Sequence, residues 1–185
     1  IILTLAIASG MPTMVIACAA AVVRWPIASG MPPMTNQITF ISAEPRPAIQ
    51  RLPTLLPRAA VACISPLYSE HPQAWQQAGH KLRFLQNALL PRALTAMTPY
   101  VLLCNPNNPT ADRHPQTAVI EAAQQLKKRG GWLIVDEAFI DATPADSVAA
   151  LAGTAEAPNL IVLRSLGKFF GLAGARVGFI LAAPD

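Results

Sequence analysis

From Ala59 onward the chain alternates short apolar runs with helical stretches, and each apolar run stops at a cluster of polar residues. Val61–Ser65, Lys81–Leu85, Tyr100–Cys104, Gly131–Val135, Leu160–Leu163 and Val177–Ala182 read as strands. Glu70–Ala78, ended by Gly79, reads as a helix. So does Gln116–Arg129, which turns Val119, Ile120, Ala123 and Leu126 to one side. A strand buried on both faces shows a continuous apolar run where a half-exposed strand shows alternation. The pattern therefore predicts an α/β fold, a mostly parallel sheet with helices on both faces. Sheets of that kind bind ligands beyond the carboxyl ends of their strands.

Composition narrows the function classes. Of 185 residues, 52% are apolar and 13% charged, against about 25% charged in an average domain, which excludes a disordered chain. Eighteen prolines beside ten glycines fit neither collagen nor a flexible linker. The net charge of +4 is mild. Its basic run, Lys127-Lys128-Arg129, precedes Gly130-Gly131, where cations meet the negative end of a helix. No basic stripe with interleaved aromatics is present, so a nucleic-acid partner is not expected. Cys18, Cys63 and Cys104 are odd in number, lie in apolar runs and lack metal-ligand spacing, which points to a reduced, cytoplasmic chain with no metal centre. Ile1–Val23 carries no charged side chain, enough length to cross a bilayer. Gly10 and Pro12 interrupt it and no basic segment precedes it, so a membrane helix is the minority reading. Residues 1–40 form a poorly specified apolar segment with a near-repeat, Ile7–Met14 and Ile27–Met34; residues 41–185 carry the α/β pattern.

Four polar clusters follow the strands. Ser65-Pro66 leads to Tyr68 and His71, and Cys104 leads to Asn105-Pro-Asn-Asn-Pro-Thr110. Val135 leads to Asp136-Glu137, and Leu163 leads to Arg164-Ser-Leu-Gly-Lys168. Taken singly each has a plain structural reading: Asn and Pro favour turns, and a lysine beside Phe169 and Phe170 is commonly a surface residue with a buried stem. Gly167-Lys168 is not a phosphate loop, because Val162 and Phe169 stand where a glycine and a Ser or Thr are needed. If the strands are neighbours, however, an aromatic ring, an amide, a carboxylate and an amine converge on one sheet edge.

In this order the clusters resemble the pyridoxal-phosphate enzymes of the aspartate-aminotransferase fold, over about Ala48 to Asp185. Ser65-Pro-Leu-Tyr-Ser-Glu-His71, Asp136-Glu-Ala-Phe-Ile-Asp141 and Leu163-Arg-Ser-Leu-Gly-Lys-Phe-Phe-Gly-Leu-Ala-Gly-Ala-Arg176 are most similar to threonine-phosphate decarboxylases. Histidinol-phosphate aminotransferases are close behind, commonly with Tyr where Phe139 stands. The resemblance implies pyridoxal 5'-phosphate as cofactor, with Lys168 as its Schiff-base lysine, its pKa lowered by the site. It implies Asp136 on the pyridinium nitrogen, which lets the ring accept electrons. Tyr68 stacks on the ring, His71 supports the aspartate, and Asn108 meets the ring hydroxyl. Ser165 and Arg176 hold the phosphate, the arginine by a charge-assisted fork, and Gly171 and Gly174 allow the tight turn between lysine and arginine. Ser42-Ala-Glu-Pro-Arg-Pro47 departs from the family's Gly-Ser helix opening, because Pro45 and Pro47 lack N–H donors.

The resemblance further implies a phosphorylated amino-acid substrate, a homodimer, and a truncated large domain without its C-terminal small domain. Three outcomes stay open: decarboxylation of threonine O-phosphate in cobalamin synthesis, a histidinol-phosphate-type transamination, and a catalytically silent cofactor-binding fragment.

Overall fold

The computed structural model of the chain describes residues 2–5, 14–17, 21–23, 38–42, 45–86, 90–171 and 178–183. In chain order the elements are β1 (Ile2–Leu5), β2 (Met14–Ala17), β3 (Ala21–Val23), β4 (Ile38–Ser42), α1 (Pro45–Leu55), β5 (Ala60–Ser65), α2 (Glu70–Gln77), β6 (Lys81–Gln86), α3 (Leu90–Thr95), β7 (Tyr100–Cys104), α4 (Gln116–Lys127), β8 (Trp132–Asp136), β9 (Leu160–Ser165) and β10 (Gly178–Ala182). Three 3-10 turns lie between β8 and β9.

Eight strands form one sheet in the order β3-β4-β10-β9-β8-β7-β5-β6. β9, β8, β7, β5 and β6 run parallel, and β10 lies antiparallel between β9 and β4. The mostly parallel sheet that the pattern predicts is observed, with antiparallel pairing at β3, β4 and β10, and the four strands that end in polar clusters are consecutive neighbours. β1 and β2 pair separately. The apolar stretch left open to a membrane helix is strand wherever it is described; among the described residues no helix is long and apolar enough to cross a membrane.

Period-two alternation sorts the strands into two buried layers. Val61, Cys63, Tyr100, Leu102, Ile134, Ile161, Leu163 and Ile180 face α1 and α2 with Ala48, Ile49, Leu52, Ala74 and Trp75. Ala62, Ile64, Val101, Leu103, Leu133, Val135, Leu160 and Val162 face α3 and α4 with Leu90, Leu94, Val119, Ile120 and Leu126. Helices on both faces explain why these strands are apolar throughout.

Two helix ends obey their sequence signals. Gly79 takes φ +88 after α2, and Ala78 and Gly79 donate back to Ala74 and Gln76. Gly130 takes φ +69 after α4, and the Gly131 N–H donates to the Leu126 carbonyl at 2.8 Å. α1 tolerates Pro45 and Pro47 because first-turn N–H groups have no partner inside a helix. Pro53 sits deeper in that helix, and its carbonyl accepts from His80 Nε2 at 2.9 Å.

Candidate active site

Extending the alternation to the strand ends predicts what meets there. Cys104 continues the Tyr100, Leu102 face, Asp136 continues the Ile134 face and Ser165 continues the Leu163 face, so all three belong to the layer under α1 and α2. Cys104 and Asp136 are direct partners across β7 and β8. α2, held on this layer by Ala74 and Trp75, brings His71 over them.

His71 and Asp136 form the centre of the site. Nε2 of the histidine lies 2.6 Å from Asp136 Oδ2, with both residues buried. The other carboxylate oxygen accepts the Ala138 N–H at 2.9 Å. With Nε2 donating, Nδ1 carries the lone pair, and it has no partner among the described residues. Tyr68 stands edge-on to the His71 ring at a centroid distance of 6.3 Å.

Cys104 completes the cluster: donor atoms of His71, Cys104 and Asp136 all lie within 4.8 Å of one another. Burial first, and then the Asp136 carboxylate, hold its thiol far above the usual range, against backbone hydrogen bonds from Tyr68 and Asn108. Asn107 ties the two loops together, donating from Nδ2 to the Pro66 carbonyl at 2.9 Å.

At the end of β9, Ser165 is buried and its Oγ accepts the Gly167 N–H at 3.2 Å. Lys168 follows, exposed, with Nζ 5.6 Å from the centroid of the Phe139 ring. Phe139 lies three residues beyond Asp136, so the amine projects over the turn that leaves the aspartate. Gly171 closes the lysine's turn, donating its N–H to the Lys168 carbonyl at φ +66. Arg176 and Gly174 lie outside the described residues.

The opposite face of the same strand ends carries a network that sequence reasoning did not find. Glu137, with no solvent exposure, accepts from Ser147 Oγ and the Val148 N–H, each at 2.7 Å, and from Arg164 Nη1 at 3.4 Å. Arg164 also pairs with Asp141. The network clamps the ends of β8 and β9 and the intervening turns, on the side away from Asp136 and Ser165. Burial pushes the Glu137 carboxyl up, opposed by those hydrogen bonds and the Arg164 charge. Alternation could have signalled it, since Glu137 and Arg164 share a side of neighbouring strands.

Residues 45–185 match the family described as aminotransferase class I and II. The chain belongs to that family. Relatives within it are similar in both sequence and fold. The threonine-phosphate decarboxylase of Pseudomonas aeruginosa is 48% identical over 134 residues, covering 72% of this chain and 39% of that one. The L-threonine-O-3-phosphate decarboxylase of Porphyromonas gingivalis superimposes with a TM-score of 0.71 at 19% identity, over 80% of this chain and 47% of that one, a likeness of fold. The histidinol-phosphate aminotransferase of Sinorhizobium meliloti, solved with pyridoxal-5'-phosphate, gives 0.70 at 28% identity, over 79% and 42%. The chain spans about two-fifths of the length of the threonine-phosphate decarboxylases it matches.

The Asp136 end of the site in this class I and II chain has the chemistry to take a pyridinium ring. A buried carboxylate braced by a histidine suits a protonated ring nitrogen, because it offers a fixed negative charge where water is excluded. At the start of α1, of the first four positions only Arg46 and Ala48 carry an N–H, which leaves few backbone donors for an anion there.

Proposed function

We propose that this chain is the cofactor-binding core of a pyridoxal-phosphate-dependent decarboxylase acting on threonine O-phosphate, giving carbon dioxide and aminopropanol phosphate in cobalamin synthesis. The observation that carries the reading is the buried His71–Asp136 pair at 2.6 Å on the strand next to the one that leads to Lys168. The sequence similarity to a threonine-phosphate decarboxylase supports the choice of substrate.

In this reading Asp136 holds the ring nitrogen in its protonated form, and His71 keeps the carboxylate aimed by donating to Oδ2. Tyr68 packs on the ring, the Asn108 amide meets the ring oxygen, and Ser165 and Arg176 take the phosphate. Lys168 would anchor the cofactor covalently through its side-chain amine. The bound cofactor supplies the sink for the electron pair left when a bond at the substrate α-carbon breaks. The protein works in the cytoplasm as a homodimer.

A second reading, histidinol-phosphate-type transamination, is favoured by the likeness to the Sinorhizobium meliloti enzyme. A third is a catalytically silent chain that binds the cofactor. Incubation with pyridoxal phosphate and threonine O-phosphate separates them. Carbon dioxide and aminopropanol phosphate in equal amounts, without an oxo acid, support the decarboxylase. Turnover that requires an oxo acid supports the aminotransferase, and cofactor uptake without product supports the silent piece. Failure to take up cofactor overturns all three.

A further inference from the structure

We propose that His71, Cys104 and Asp136 form a binding site for a thiophilic divalent cation of the zinc class in the cofactor-free chain. The proposal stands on these three donors and does not draw on the cofactor reading. They supply one nitrogen, one sulfur and one oxygen, a donor set suited to zinc, and their ligand atoms lie within 4.8 Å of one another. In a tetrahedral zinc site with bonds of about 2.0–2.3 Å, ligand atoms stand roughly 3.3–3.7 Å apart. Nε2 and Oδ2, at 2.6 Å, therefore need to part by about an ångström or less and the sulfur to approach by at most little more than about an ångström, a matter of side-chain torsion.

The frame around them is rigid. Cys104 and Asp136 sit on adjacent, hydrogen-bonded strands, and His71 is carried by a helix packed on the same layer. All three are buried, at 1% exposure for His71, 5% for Cys104 and 8% for Asp136. The unpartnered Nδ1 of His71 gives the chemistry its outlet. As the metal takes Nε2, the ring proton moves to Nδ1 and the imidazole stays neutral. The thiol S–H bond breaks as the metal–sulfur bond forms, and that proton leaves to solvent, so one proton is released per metal bound. A fourth position is left for water.

Cobalt(II) chloride, added alone to the reduced chain without pyridoxal phosphate, tests this, because a thiolate on cobalt absorbs strongly in the near ultraviolet. The expected result is a band that saturates at one equivalent and is bleached by zinc chloride. Cys104→Ser should abolish the band, Cys63→Ser should leave it, and His71→Gln, which retains the thiol, should weaken cobalt binding at least tenfold. Absence of the band in the unaltered chain overturns the site, whatever the variants do. A band undiminished in either Cys104→Ser or His71→Gln overturns it as well.

Discussion

Replacing Arg164 with Met removes one partner from a carboxylate that has no route to water. Glu137 is fully buried, and its three donors are Ser147, Val148 and Arg164. Breaking a buried ion pair by deleting one member costs about 3–5 kcal/mol. Two donors remain on Glu137, and the Arg164 side chain is 24% exposed, so the loss should fall to roughly 2–3 kcal/mol. The sign with pH follows from the direction of the Glu137 shift. Its carboxyl in the folded chain titrates above the ordinary glutamate value of 4.5. The stability due to its protonated form is complete below that value and is lost as pH rises through the raised one. Arg164 pulls the raised value down, so its removal extends the loss and the deficit of Arg164→Met should grow between pH 5 and pH 8. Urea unfolding at both pH values measures this, and Glu137→Gln in the same background should recover part of the deficit at pH 8. A loss below about 0.5 kcal/mol, or one equal at the two pH values, would refute the clamp between β8 and β9.

Three further outcomes follow from single positions. Gly153 takes φ +72, and a Cβ there would stand 2.6 Å from the Ala183 nitrogen and 2.7 Å from the Ala182 carbonyl group; Gly153→Ala should cost about 2–4 kcal/mol, and unchanged thermal unfolding would remove the close approach to β10. His80 receives the Ala59 N–H on Nδ1 at 3.3 Å and donates from Nε2 to Pro53 at 2.9 Å. His80→Phe leaves both groups unpaired and should lower stability by about 2–4 kcal/mol, with urea unfolding as the readout and a loss under 0.5 kcal/mol as the contrary result. Burial pushes the Cys63 thiol up to about 12 and the Cys104 thiol higher, so both should resist a thiol reagent at pH 8 until urea is added; rapid native labelling of either would contradict their environment.

The parallel core was legible because each strand had to satisfy two apolar faces. Tyr100–Cys104 is observed with the bounds its sequence predicts, and the α4 stop at Gly130-Gly131 is where the glycines put it. α3 was missed because Leu90–Thr95 is too short for a helical period to repeat and contains Pro91. α1 was obscured by Pro45, Pro47 and Pro53, of which the first two are compatible with a first turn and only Pro53 interrupts the ladder. β4 straddles the end of the segment that reads as unspecified, yet it pairs with β10 along its whole length; local composition carries no record of so distant an antiparallel partner. At the site, the polar residues after each strand were visible individually. Cys104 was read merely as a buried thiol, since its approach to His71 and Asp136 depends on the register between β7 and β8 and on where α2 docks. Glu137 and Arg164 escaped for the same reason, being far apart in sequence and adjacent across two strands.

In the proposed function Lys168 and Asp136 serve one cofactor. Pyridoxal phosphate added to the chain, followed by borohydride reduction and peptide mapping, should place the label on Lys168, and Asp136→Ala should lower the labelled fraction while leaving Lys168 present. A label on Lys81, Lys127 or Lys128 instead, or none on any lysine, would contradict it.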